Sequence, residues 1–253
     1  DLHNVLRSNI LRKFFKLSGI SNSVIDKGRA EKKQLTSKEN KVLKQLPTSH
    51  ERYASVFAAL GLPIDLESNN FFAAKERIPA SIESFLLPKK LIGIAPFAKH
   101  AEKMYPLQKM KELLLQLSKQ EAIQFIFFGS KGSEAMILEE WQNEIPSSFN
   151  VAGKISFDEE LQLISNLSLM ISMDSANMHL ASIYGVPVVS IWGATHPFAG
   201  FYGWKQDKKN IVQVDLFCRP CSVFGNKPCY RGDHACMEMI TNKMILDKVN
   251  ENL

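Results

Sequence analysis

Residues 168–197 read SLMISMDSANMHLASIYGVPVVSIWGATHP. The run LSLMIS at 167–172 is apolar without helical spacing, so it reads as a strand buried on both faces. The strand ends at Asp174 and helical periodicity begins almost at once, over residues 176–184, with Asp174 or Ser175 as the N-cap. A second apolar run, VPVVSIWG at 186–193, follows that helix. Strand, helix and strand in this order predict an α/β architecture, because parallel strands need a crossover helix between them.

The same alternation extends upstream. Apolar runs LIGIAPF (91–97), IQFIFFG (123–129) and FNVAG (149–153) are separated by helix-period segments at 107–119, 134–143 and 158–165. Repeated βα order predicts a parallel sheet covered on both faces, a doubly wound domain spanning residues 91–253. Residues 1–90 are less regular: a helix-like stretch at 3–17, a short isolated strand at 23–26, a charged region at 27–44 and a helix at 51–60. The isolated strand has no evident partner, so this part reads as an incomplete domain. Residues 69–90, with Pro79 and Pro88, then serve as its connection to the larger one.

Doubly wound domains bind ligands at the carboxyl ends of their strands. The free amides of Ser175, Ala176, Asn177 and Met178 would form an anion site reinforced by the helix dipole. A plain capped helix accounts for the same residues. Asp174 and His179 border this turn; a lone helical His more often positions a turn than performs catalysis. At the next strand end, Gly193 would let backbone approach a ligand and Thr195 could donate its hydroxyl, although Gly-Ala-Thr also suits an ordinary turn. The loop APFAKHAEKMYP (95–106) supplies Lys99, His100 and Lys103, of which Lys103 is the candidate phosphate cation. The glycine loop FFGSKGSE (127–134) has neither Walker nor dinucleotide spacing, which removes the main support for a kinase or dehydrogenase.

Composition narrows the class further. Of 253 residues, 45% are hydrophobic and 23% charged, ordinary for a globular chain able to bury a core. The formal net charge of +5 is spread in short pairs such as Lys32-Lys33 and Lys208-Lys209, with no nucleic-acid-binding signature. The chain opens at Asp1 without a signal peptide or an apolar run long enough to span a bilayer, so a cytoplasmic location is expected. All four cysteines fall in CRPCSVFGNKPCYRGDHAC, at Cys218, Cys221, Cys229 and Cys236. The first pair has zinc-ligand spacing and the second does not; a packed cluster of reduced thiols is preferred over a metal site.

Several of these segments together resemble glycosyltransferase family 9, the lipopolysaccharide heptosyltransferases. They are DLHNVLRS (1–8), KMYP (103–106), the loop at Gly129, GKISFDEELQLIS (153–165), MDSANMHLAS (173–182), GATHP (193–197) and the cysteine-rich tail ending in CMEMIT (236–241). Two positions depart from the family pattern: Ala176 replaces a usual Gly, and Tyr105 a usual Trp. The resemblance implies a GT-B fold with two Rossmann-like domains, the N-terminal one incomplete here. It also implies inverting sugar transfer without metal or cofactor, from a nucleotide-sugar donor, ADP-heptose, to a lipopolysaccharide-core or other glycan acceptor. Peripheral association with the inner face of the inner membrane is compatible with it.

By the same resemblance the donor diphosphate lies near Lys103, Ser175, Ala176 and Asn177, and the base near Lys154 and Ser156. Asp174 and His179 become sugar- or phosphate-side residues by that resemblance, while the position of Gly193 and Thr195 after the next strand fits a second wall of the same pocket. The family's candidate general base precedes residue 1, so this chain is expected to bind donor without turning it over. Transfer of a different hexose or aminosugar, and a nucleotide-sugar-binding module without turnover, are the alternatives.

Overall fold

The computed structural model describes residues 1–68 and 71–253; Asn69 and Asn70, where the expected connecting segment begins, lie outside the described residues. The chain divides into two compact units, Asp1–Phe71 with Pro197–Tyr202, and Phe72–His196 with Gly203–Leu253. Residues 72–90 therefore belong to the larger unit instead of linking two. The physical reason is their hydrogen bonding: Ala73 N donates to Ile183 O at 2.8 Å, Glu76 N to Ser165 Oγ at 2.9 Å and Leu87 N to Gln124 Oε1 at 2.8 Å.

The smaller unit holds α1 (Leu6–Leu17), α2 (Arg29–Leu35) and α3 (Ser49–Ala58). A capping box between Thr48 and Glu51 starts α3. Leu35, Leu46 and Ala199 form its small core, with Phe198 and Phe201 packed on them. The strand expected at residues 23–26 does not form. Ile25 N bonds Asp1 O at 3.0 Å instead, and among the described residues no strand pairs with this segment. Without a neighbour to complete a ladder, an extended segment satisfies its backbone locally. Helix α1 buries none of its residues, leaving Leu6, Ile10, Leu11, Phe14 and Leu17 exposed.

After the short α4 (Ala80–Glu83), the larger unit is built on six strands: β1 (Lys90–Ala95), β2 (Ile123–Phe127), β3 (Ser148–Asn150), β4 (Leu169–Met173), β5 (Val188–Ile191) and β6 (Ile211–Val212). All pair in parallel, in the order β3-β2-β1-β4-β5-β6. Every residue of β2, β4 and β5 is buried, as apolar runs in a doubly covered sheet must be. The crossovers are α5 (Leu107–Leu117), α6 (Ser133–Glu144), α7 (Phe157–Ile164) and α8 (Ala176–Ile183), followed by α9 (Ala235–Glu238) and α10 (Asn242–Asn252). Met110, Leu113, Leu114 and Leu117 give α5 an i, i+3, i+4, i+7 stripe that is fully buried. The mixed α/β fold with a parallel sheet thus forms as the alternation predicts. The strand order reverses direction between β1 and β4, and this switch point is where such sheets open a crevice at their carboxyl ends.

Candidate functional site

The two loops that flank the switch point leave β1 after Ala95 and β4 after Met173. The first is held from below by Tyr105, which is 1% exposed: its OH donates to Asn242 Oδ1 at 2.9 Å and Ile240 O at 3.2 Å, and its N–H reaches Met173 Sδ at 3.3 Å. Burial raises the Tyr105 phenol to about 12, with Glu112 and Glu238 adding to the effect. This phenol is an anchor that stays protonated, and it fixes the residues just before it, Lys103 among them.

Lys103 Nζ lies 3.1 Å from Asp174 Oδ2, and Thr195 Oγ1 donates to the same oxygen at 2.8 Å. Asp174 and Thr195 are buried, while the Lys103 side chain is 14% exposed. Three strand ends, those of β1, β4 and β5, therefore converge on one carboxylate. A buried carboxylate must be paired to stay charged, and an ammonium has three donors, of which Asp174 uses one direction. The arrangement holds a cation beside that carboxylate at the switch point.

Helix α8 begins one residue after the N-cap Ser175, whose own backbone is extended at φ −145° and ψ −179°. Ser175 Oγ makes no cap bond; it pairs with Ser172 Oγ at 3.1 Å, which leaves the capping position without a side-chain acceptor for the first amides. Ala176 is exposed at the first helical position, and His179 is half-buried one turn on. Asn177 Nδ2 donates to Glu160 Oε1 at 3.2 Å, tying α8 to α7. Burial raises the Glu160 pKa, partly opposed by the Asn177 bond.

The folded state thus holds the Glu160 proton more tightly than the unfolded chain does. Its contribution to stability is full below the unfolded pKa and is lost as pH rises through the folded one. Glu160→Gln keeps an acceptor for Asn177 and is expected to melt with the parent protein at pH 4 and above it at pH 8. Thermal unfolding at both pH values checks this; a variant melting below the parent at pH 8 would contradict it.

The other expected donor-side residues are placed differently. Lys154 is exposed and its Nζ is 2.7 Å from Glu139 Oε2. Ser156 is the N-cap of α7, in a capping box with Glu159, so its hydroxyl is used within the helix terminus. Gly193 lacks a side chain because of its protein neighbours: a Cβ there would lie 2.7 Å from Met237 side-chain atoms and 3.0 Å from Glu102 O. Close packing against those neighbours by itself calls for glycine there. The residues that the sequence offered no signal for are Glu160, Arg219 and Gly225, the last two inside the cysteine-rich segment. All four cysteines are free thiols, and among the described residues no group of three or more His, Cys, Asp or Glu could hold a metal ion. Burial pushes the Cys236 thiol up to about 11. Among the described residues no helix is long and apolar enough to cross a membrane.

A groove of about 420 Å³ lies elsewhere, at the amino-terminal end of β3, lined by Phe85, Gln142, Ile145, Ser147 and Phe149. It gathers no convergent charges, so the chemistry favours the polar cluster at the switch point.

Comparison with known proteins settles the family. The model of glycosyltransferase family 9 (heptosyltransferase) matches residues 1–228. The chain belongs to that family. Lipooligosaccharide heptosyltransferase 2 of Campylobacter jejuni is 27% identical over 169 residues, covering 65% of this chain and 51% of that protein. The solved ADP-heptose heptosyltransferase II of Escherichia coli superposes with a TM-score of 0.62 at 22% identity, over 81% of this chain and 61% of that one. Heptosyltransferase WaaC of E. coli, solved with ADP, gives 0.57 at 16% identity, over 84% and 58%. The family 9 chain described here spans about half the length of the C. jejuni relative.

Proposed function

We propose that the larger unit is the donor-binding half of a GT-B glycosyltransferase and that it takes ADP-heptose. The observation that carries this reading is the Lys103–Asp174–Thr195 cluster at the β1/β4 switch point, beside the uncapped start of α8, in a family 9 chain. A nucleoside diphosphate needs both kinds of group found there: a side-chain cation and helix-start amides that remain free. The solved E. coli relative carries ADP, which supports adenine as the base.

In the proposed reaction an acceptor hydroxyl attacks the anomeric carbon as the bond from that carbon to the diphosphate oxygen breaks, with inversion. The hydroxyl proton passes to a general base, and the departing diphosphate gains negative charge that Lys103 and the α8 amides offset. The acceptor in this reading is the lipopolysaccharide core or another glycan, reached at the inner face of the inner membrane. The smaller unit is then a remnant of the acceptor-side domain. The open apolar face of α1 supports this, since a twelve-residue helix burying nothing has little stability of its own and needs a cover. In this reading the general base is supplied from the acceptor side.

Calorimetric titration with ADP, UDP, GDP and their sugars tests the donor assignment. ADP and ADP-heptose are expected to bind and the other nucleotides to bind at least tenfold more weakly, with EDTA leaving the affinity unchanged. Preference for UDP would replace the donor, and loss of binding on chelation would overturn the metal-free account.

A further inference from the structure

Arg219 is 3% exposed, and its guanidinium is met by backbone rather than by a carboxylate. Nε donates to Gly193 O at 2.6 Å, Nη2 to Trp192 O and Thr195 O at 3.1 Å each and to Gln213 Oε1 at 3.0 Å, and Nη1 to Val214 O. Burying a guanidinium is costly unless its donors are used, and here the planar fork reaches three carbonyls of the loop that follows β5. The fourth carbonyl of that loop, Ala194 O, accepts from Cys221 N at 3.1 Å and Ser222 N at 3.3 Å. The cysteine-rich segment therefore grips every peptide from Trp192 to Thr195 on one side. On its other side, Thr195 presents its hydroxyl to Asp174.

The same segment also covers Lys103. Gly225 has φ +75°, its N–H is fixed by Ser222 Oγ at 3.0 Å, and a Cβ at Gly225 would lie 2.4 Å from Lys103 Cγ and 2.5 Å from Cδ. The aliphatic stem of Lys103 thus lies in the space that glycine leaves. Ala194 N, in the gripped loop, donates to Glu102 O at 3.3 Å, next to Lys103 in the chain.

We propose that residues 219–225 are a clamp that sets the position of the Lys103 ammonium, Arg219 through the Thr195–Asp174 arm and Gly225 through direct contact with the lysine stem. Both are positioning residues for the diphosphate, which they do not touch. This rests on Lys103 being the phosphate cation proposed above. Arg219→Lys keeps the charge but loses the fork, and Gly225→Ala intrudes on the lysine stem. Each is expected to weaken ADP binding about tenfold and to leave adenosine, which has no phosphate, unchanged.

Titrations of both ligands into the parent, Gly225→Ala, Arg219→Lys, Lys103→Ala and the double variant Lys103→Ala/Gly225→Ala form the test, with melting temperature followed in parallel. The clamp is supported if Gly225→Ala costs ADP affinity in the parent and nothing further once Lys103 is gone. Equal losses for ADP and adenosine, an additive loss in the double variant, or no loss in either single variant overturns it. Should Arg219→Lys melt too low to assay, Gly225→Ala decides alone. If Lys103→Ala itself leaves ADP affinity untouched, the phosphate assignment of Lys103 fails and the clamp has no diphosphate to serve.

Discussion

Replacing Lys103 with alanine is expected to weaken binding of a nucleoside diphosphate by roughly 10- to 150-fold while the nucleoside alone binds as before. That range corresponds to about 1.5–3 kcal/mol, the usual contribution of a charge-assisted hydrogen bond. The upper end applies here for a reason specific to this site. Lys103 neutralises Asp174, which is buried and shares the same oxygen with Thr195. Without the ammonium, that carboxylate faces the incoming phosphates unopposed, so the variant loses an attraction and gains a repulsion. Asp174→Asn added to Lys103→Ala should therefore recover part of the lost affinity. Calorimetry on the two variants with ADP and adenosine reads both effects. A Lys103→Ala protein that loses affinity equally for both ligands would show that the lysine holds the fold and not the phosphate.

The larger effect concerns turnover. The chain as it stands is expected to bind ADP-heptose yet release ADP to a lipopolysaccharide-core acceptor at least 100- to 10,000-fold more slowly than a version extended N-terminally to the length of its relatives. Loss of a general base alone typically costs about that factor, and loss of acceptor positioning multiplies it. Donor affinity should differ much less between the two, because the Lys103, Asp174 and α8 groups all lie in the larger unit. Nucleotide release followed with the same donor and acceptor separates the outcomes. Equal rates would mean that the base lies within these residues. Donor binding without turnover in both proteins would favour a nucleotide-sugar-binding module over an enzyme.

The amino-acid sequence by itself determined the α/β class and the run of elements from β1 to β5, for a physical reason. Strands covered on both faces must be apolar throughout, and their crossover helices must carry a buried stripe every three to four residues, so both patterns are written locally. The turn after β4 was legible in the same way, since strand termination at Asp174 and a small capping residue sit side by side. Elements that depend on a distant neighbour were not legible. The two residues of β6 are a strand only because β5 lies beside them, and residues 23–26, apolar enough to be one, are not a strand because no partner pairs with them. The tail helices α9 and α10 likewise carried no signal strong enough to assign before packing was known.

The site divides along the same line. Lys103, Asp174 and Thr195 were each candidates at a strand end, but only the sheet order, with β1 against β4 and β4 against β5, brings their side chains onto one oxygen. Lys154, Ser156 and Gly193 lie outside that cluster, and their partners in the folded chain are Glu139, Glu159 and the Met237–Glu102 wall. A side chain's role follows from which donors and acceptors its neighbours leave unsatisfied, and that is decided by tertiary packing. Arg219 is the clearest case: nothing in the sequence analysis singled it out, and only the fold surrounds it with the carbonyls of the loop beyond β5.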